Sequence, residues 1–267
     1  MITVVMACYN QEKYIEQAVK SVLNQTYENF DIIIVNDGST DGSQEKIEEL
    51  SKLDTRISFI KTDDIGATMA RSTAVDLSDQ PYFVPLDGDD HIAPSFLEET
   101  LRVLDGNSGR NYGFCYTDSI FYNEDTKFKK DMLQPDYNFS RLLMGNYICY
   151  CSLIRKKAFY DAGGYNRWNF NYFEDYELWI RMGRKGHYGA HIGKPLFYYR
   201  MRGNNLSANT TKFATIYKAF IIRTYPELYD PNFQIEVDKI LEKYPTNFMS
   251  LKPKEQNRIY ERIERNA

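Results

Sequence analysis

Residues 82–94, YFVPLDGDDHIAP, climb through apolar side chains and then present three carboxylates within four positions, Asp87, Asp89 and Asp90. Like charges this close repel one another, so a folded chain keeps them where they are well solvated or where a cation or proton neutralises them. The stretch alone admits both a solvated turn after a strand and a cation site. A D-x-D at a strand end suits the second, because Mg2+ or Mn2+ is commonly bound by one or two carboxylates together with substrate phosphate oxygens.

Two other chemistries fail on context. Asp37, Ser39, Asp41, Gly42 and Glu48 fall at positions 1, 3, 5, 6 and 12 of an EF-hand calcium loop. The preceding FDIIIVN, however, is a β-branched run and not the helix that such a loop needs. The Asp87 cluster has Ile92 where the loop needs glycine. No G-x-G-x-x-G and no G-x-x-x-x-G-K-S/T follows any candidate strand, which argues against dinucleotide enzymes and P-loop NTPases.

Composition narrows the field further. The 267 residues are 43% apolar and 26% charged, ordinary for a globular protein. The net charge of −4 excludes a nucleic-acid partner held by bulk electrostatics. Tyrosine is abundant, with 22 residues, and its flat face and polar tip suit stacking on sugar rings as well as core packing. No apolar run approaches a membrane span of roughly 20 residues, and Met1 leads straight into a strand-like segment, so a cytoplasmic location is expected. Cys8, Cys115, Cys149 and Cys151 lack zinc spacing and read as reduced core residues. His91, His187 and His191 match no metal motif and read as structural.

These residues need elements to hold them. Short β-branched runs alternate with amphipathic stretches over the first hundred residues, the pattern of βαβ units on a mostly parallel sheet. Strands are expected at 2–8, 30–36, 57–61 and 82–87. Helices are expected around Ile15, Ala18, Val19, Val22 and Leu23, from Asp41 or Ser43 through Ile47 and Leu50, and over about 66–76. Ligands of open α/β sheets sit beyond the carboxyl ends of the strands. Tyr9 and Asn10, Asp37, Thr62 to Asp64 and the Asp87 cluster all fall there. Further on, 112–122 and 150–156 read as strands and 123–138 as a polar loop. Tyr176, Leu178, Trp179 and Met182 repeat at helical spacing behind Glu174 and Asp175. The remainder after residue 207 reads as helical, interrupted by Pro226, Pro231, Pro245 and Pro253.

The stretch MACYNQEKYIEQAVKSVLNQTYENFDIIIVNDGSTDGS resembles the opening of the family 2 glycosyltransferases, and LDGDD resembles their D-x-D motif. The likeness continues through GATMARSTAV, GGYNR, EDYELWIRMGRKG and YYRMRGNNLS. It implies a GT-A fold, Rossmann-like with a mostly parallel central sheet flanked by helices, over residues 1–207. Residues 1–105 would be the nucleotide-binding half, 106–207 the acceptor-binding half and 208–267 a helical C-terminal extension. The implied reaction moves a sugar from a nucleotide-diphosphate sugar, a UDP-sugar in the first instance, to a hydroxyl of a carbohydrate or lipid-linked acceptor. It would proceed with inversion, with Mn2+ or Mg2+, in cell-surface polysaccharide or glycoconjugate synthesis.

The resemblance also implies roles. Asp37 would contact the base or ribose, with Ala7, Tyr9 and Asn10 in the same wall, while an Asx-turn or helix cap in NDGSTD is compatible with that. Asp64 and Arg71 would line the nucleotide and donor sugar, an ordinary surface salt bridge being the other reading of Arg71. Asp89 would be the direct metal ligand and Asp87 a metal, ribose or sugar contact. Gly88 would let substrate approach the backbone, and Asp90 would cap the next helix. Glu174 and Asp175 match the family's E-D pair, in which the aspartate serves as base; acids that merely complement a helix dipole are the alternative. Trp168, Tyr172 and Phe173 would stack on the acceptor.

One departure stands out: Arg202 occupies the region where many family members carry a histidine. Arg202 would then neutralise phosphate directly, with Arg200 and Ser207 beside it, and the metal requirement would be weaker. Two other functions stay open at this stage. A nucleotidyltransferase on a related sheet would need a glycine-rich basic N-terminal loop that is missing, and a non-catalytic nucleotide- or sugar-binding module would keep the rim without turnover. The C-terminal helices suit an oligomer contact, an acceptor-site lid or a peripheral contact at the inner face of the membrane.

Overall fold

A computed structural model describes residues 1–106, 109–166, 173–202, 210–251 and 253–265. β1 (Ile2–Cys8) and β2 (Phe30–Asp37) are buried at nearly every position. Strands covered by helices on both faces lose the apolar–polar alternation, and so read as continuous apolar runs. β3 (Ile57–Thr62) and β4 (Tyr82–Pro85) complete the parallel set β3-β2-β1-β4. Between them α1 (Ile15–Leu23) buries Ile15, Ala18, Val19 and Val22, α2 (Ser43–Leu53) buries Ile47 and Leu50, and α3 (Ala67–Leu77) buries Ala70, Ala74 and Val75. Each helix thus turns one apolar stripe to the sheet.

The sheet continues past β4 with β8 (Leu153–Arg155), β6 (Tyr112–Asn123), β9 (Tyr188–Arg200) and β5 (His91–Ile92), while β7 (Phe128–Met132) pairs with β6. β8 runs antiparallel to β4 and β6, whereas β9 runs parallel to β6. α4 (Phe96–Asp105) and the short α5 (Phe139–Met144) and α6 (Lys156–Asp161) complete this part. All four cysteines are free thiols; Cys8, Cys115 and Cys151 are buried in the core.

Several expectations need correction. The regular strand read over 82–87 spans Tyr82–Pro85; Leu86 and Gly88 still donate to the Val5 and Ala7 carbonyls of β1, and the chain then turns, Asp90 N–H donating to the Asp87 carbonyl. The strand read over 150–156 is only Leu153–Arg155. The polar loop read over 123–138 contains β7, an edge strand exposed along most of its length and so without an apolar alternation to betray it. β9 has no regular alternation either, since its register against β6 shifts around Thr117 and Asp118.

The chain divides into two compact units, Met1–Tyr165 with Leu178–Arg202, and Asn166–Glu177 with Gly203–Ala267. Within the first unit, Trp179 of α7 (Glu174–Arg184) stacks on Phe114 at 4.3 Å between ring centres. The second unit holds α8 (Thr210–Thr224), α9 (Phe233–Leu241) and α10 (Pro253–Arg265) around Phe213, Ile216, Tyr217, Val237, Leu241 and Phe248. Glu177 is 1% exposed there, and its carboxylate accepts from the Tyr225 hydroxyl. Among the described residues no helix is long and apolar enough to cross a membrane.

Candidate active site

β2 and β3 lie to one side of β1 and β4 to the other. This reversal opens a crevice beyond the carboxyl ends of β1 and β4, where ligands bind in such sheets. The connection after β1 and the turn after β4 meet there. Gln11 Nε2 donates to Asp89 Oδ1 at 3.2 Å across them.

Asp87, Asp89 and Asp90 converge, with one carboxylate oxygen of each lying within 4.8 Å of the others. Each is met by a different donor set. Arg71, itself 4% exposed, clamps Asp87 through Nε at 3.1 Å and Nη2 at 2.7 and 2.8 Å. Arg202 Nη2 pairs with Asp89 Oδ2. Asp90 is 2% exposed and accepts the Tyr150 hydroxyl at 2.6 Å and the Arg200 backbone N–H at 2.8 Å. These bonds replace the expected role of Asp90 as a helix cap: α4 begins only at Phe96, after Ser95. In place of a surface salt bridge, Arg71 makes an ion pair whose arginine is buried and whose Asp87 is partly exposed.

Burial pushes the Asp89 and Asp90 carboxyls up, and the neighbouring carboxylates push them further. Groups held at raised pKa by mutual repulsion have most to gain from a cation. Three carboxylates with hard oxygen donors fit Mg2+ or Mn2+. The arginines supply part of that charge already. Arg200, 3% exposed, is held over Tyr14 at 4.6 Å and Tyr122 at 4.8 Å, places Nη1 at 2.5 Å from Glu124 Oε1 and donates from Nε to the Asp89 carbonyl at 2.8 Å.

The residues expected on the nucleotide side lie around the loop after β2. Asp37 is 3% exposed; Oδ1 accepts from Thr62 Oγ1 at 2.7 Å and Ile65 N–H at 2.8 Å, and Oδ2 from Gly66 N–H at 2.8 Å. Its carboxylate therefore ties β2 to the start of α3, with three of its roughly four lone-pair sites already engaged. Asn10, at φ 53°, accepts the Thr40 N–H at 2.8 Å. Gly38, at φ 73°, is required where it stands: a Cβ would come 3.0 Å from the Asp64 backbone nitrogen. Asp64 is exposed and Tyr9 is 52% exposed, whereas Ala7 is buried within β1.

Glu174 and Asp175 occupy the first turn of α7, half-buried, with Asp175 Oδ1 accepting the Tyr176 N–H at 2.7 Å. Phe173 packs on Tyr217 at 4.9 Å within the second unit. Trp168, Tyr172 and Ser207 lie outside the described residues. The three histidines have structural partners: His91 stacks on Tyr198, His187 lies 3.3 Å from Asp161, and His191 bridges Asp118 and Asp136.

Two residues of the crevice escaped sequence reasoning. Tyr150 donates to Asp90, accepts the Asp87 N–H at 3.0 Å and lies under the Arg71 guanidinium at 5.1 Å. It is one of many tyrosines, and nothing in its neighbours marks it. Gln11 sits one residue past the Tyr9–Asn10 pair, where position alone was the available signal.

Residues 3–163 match the sequence profile described as Glycosyl transferase family 2. An uncharacterised glycosyltransferase of Haemophilus influenzae is 29% identical over 219 residues, 78% of this chain and 68% of its own. The UDP-Glc:alpha-D-GlcNAc-diphosphoundecaprenol beta-1,3-glucosyltransferase WfaP of Escherichia coli is 27% identical over 223 residues, 79% of this chain and 82% of its own. Other relatives are much longer than the stretch matched, this chain spanning 18% and 31% of two of them. Among solved structures, S. aureus TarS 1-349 in complex with UDP-GlcNAc superposes with a TM-score of 0.67 at 16% identity, over 98% of this chain and 79% of that one. The fold is accordingly that of the GT-A glycosyltransferases.

Proposed function

The chain belongs to glycosyl transferase family 2, and we propose that it moves one sugar from a UDP-sugar to a hydroxyl of a carbohydrate or lipid-linked acceptor, with inversion, in the synthesis of a cell-surface polysaccharide or glycoconjugate. The observation that carries this reading is the acidic cluster at the switch-point crevice, built of oxygen ligands and ringed by Arg71, Arg200 and Arg202. Mixed charge of this kind suits a diphosphate and its cation better than either alone. A relative named for UDP-Glc and a GlcNAc-diphosphoundecaprenol, and a structural neighbour holding UDP-GlcNAc, support the donor and acceptor classes.

In this reading Asp37, Ala7, Tyr9 and Asn10 form the nucleoside wall, and Asp64, Arg71, Asp87 and Gly88 line the ribose and donor sugar. Asp89, with Asp87, holds Mn2+ or Mg2+, which when bound supplies positive charge for the departing diphosphate. Arg200, Arg202 and Ser207 complete the phosphate side. Asp175, with Glu174 beside it, removes the proton from the acceptor hydroxyl, and attack opposite the diphosphate inverts the anomeric carbon. Trp168, Tyr172 and Phe173 shape the acceptor side. The test is a thermal-shift screen of UDP, GDP and dTDP with Mn2+ or Mg2+. UDP at 100 times its Kd should stabilise by about 2.7 kcal/mol, and unchanged melting with all three would overturn the reading.

A further inference from the structure

Gln11 is built into the crevice more firmly than a loop residue needs to be. Its N–H donates to Ser43 Oγ at 2.8 Å, and its carbonyl accepts from the N–H groups of Tyr14 at 2.9 Å and Ile15 at 3.0 Å. The residue is 8% exposed. Nε2 faces Asp89 Oδ1 at 3.2 Å, and this fixes the amide's orientation, since the reverse would set a carbonyl lone pair against a carboxylate. The other end, Oε1, is buried without a hydrogen-bond partner among the described residues. It fills the notch left by Gly88, where a Cβ would lie 2.2 Å from it.

The residue type matters here. An apolar side chain would leave a buried Asp89 lone pair bare, and a carboxylate would add a fourth negative charge to the cluster. A neutral amide donor fixes Asp89 without drawing on its charge. Arg202, on the opposite oxygen, is the cationic partner and is 23% exposed.

We propose that Gln11 is a positioning residue for Asp89: its amide holds Oδ1, so that Oδ2 keeps its aim when Arg202 yields it to a divalent cation. Gly88 is part of the same device, because only a residue without Cβ leaves room for the Gln11 carbonyl. This also gives Gly88 a packing reason in addition to any approach of substrate. The inference rests on the metal–nucleotide reading above.

The test is Mn2+ titration in the presence of UDP, with free Mn2+ followed by electron paramagnetic resonance. Partners that orient a metal ligand are typically worth about 10- to 100-fold in metal affinity. Gln11→Ala should weaken Mn2+ by that factor, and so should Gly88→Ala, which would push the amide off Asp89. The double variant should bind no worse than the weaker single one, because both act through one hydrogen bond. A purely structural role would move melting temperature without this non-additivity. Gln11→Met, which preserves shape, carries the same prediction should Gln11→Ala fail to fold. Parental Mn2+ affinity in the glutamine variants, or losses that simply add, would overturn the inference while leaving the function intact. A parent protein that binds no Mn2+ with UDP would overturn both.

Discussion

Arg202 donates through Nη2 to Oδ2 of Asp89, so a carboxyl that burial and the Asp87 charge push up already has a cation beside it. A protein cation and a metal at one carboxylate are competitors, and a charge-assisted hydrogen bond is worth about 1.5–3 kcal/mol. Arg202→Ala should therefore bind Mn2+ without nucleotide roughly tenfold more tightly, the lower end of that range. In EDTA the order should reverse: residual UDP binding persists in the parent and falls in the variant, since Arg202 then supplies charge to the diphosphate that the metal no longer does. Calorimetry under both conditions checks this. Equal behaviour of parent and variant would remove any compensating role for Arg202.

Tyr150 makes a separate prediction. Its hydroxyl joins the Asp87 backbone to the buried Asp90 carboxylate in a partly buried setting. Tyr150→Phe keeps the ring under Arg71 but leaves one donor and one buried acceptor without this partner, at up to about 1–3 kcal/mol each. Loss of several degrees in melting temperature is expected in a chain this size. Nucleotide affinity should fall with it, because the Asp87–Asp90 turn loses its fastener. Unaltered melting would show that water substitutes fully for the hydroxyl.

The contrast between Asp87 and Tyr150 marks how much of the site the sequence makes legible. Asp87 and Asp89 stand out because their charge is out of place after an apolar strand, and the parallel half of the sheet stands out because its strands are buried on both faces. Tyr150 and Gln11 carry no such mark. Their importance comes from long-range pairing, Gln11 with a residue 78 positions away and Tyr150 with one 60 away. β7 was invisible for the converse reason: an exposed edge strand has no periodic burial to display.

The pH dependence of stability has a definite sign at His91. Burial, then the nearby Arg200 charge, lowers its pKa from 6.5 to about 4. Between those values the unfolded chain binds a proton that the folded one refuses, so this residue withdraws stability as pH falls through the window. Asp89 and Asp90 act oppositely, their raised pKa values favouring the folded state in acid. Replacing the imidazole isolates its share. His91→Phe keeps the stack on Tyr198, 4.4 Å away, and loses a hydrogen bond to Tyr122, a cost that does not vary with pH. The melting-temperature difference, variant minus parent, should grow more positive from pH 7 to pH 4.5. A constant difference would place the titration elsewhere.

Binding and chemistry should separate between the two acidic groups. Asp89→Asn removes the charge proposed to hold the metal, so nucleotide binding and turnover should fall together. Asp175→Asn should leave donor affinity nearly unchanged, because the proposed base acts on the acceptor hydroxyl, while transfer falls by about 10²-fold or more, the usual scale for losing a general base. Glu174 and Asp175 also stand in the first turn of a helix, where acids complement the dipole without any chemistry. That alternative predicts a modest drop in melting temperature with turnover intact. Calorimetric UDP binding beside donor hydrolysis, and transfer once an acceptor is found, tells them apart. Parental turnover in Asp175→Asn would leave the aspartate a helix-terminal acid and pass the role of base to Glu174.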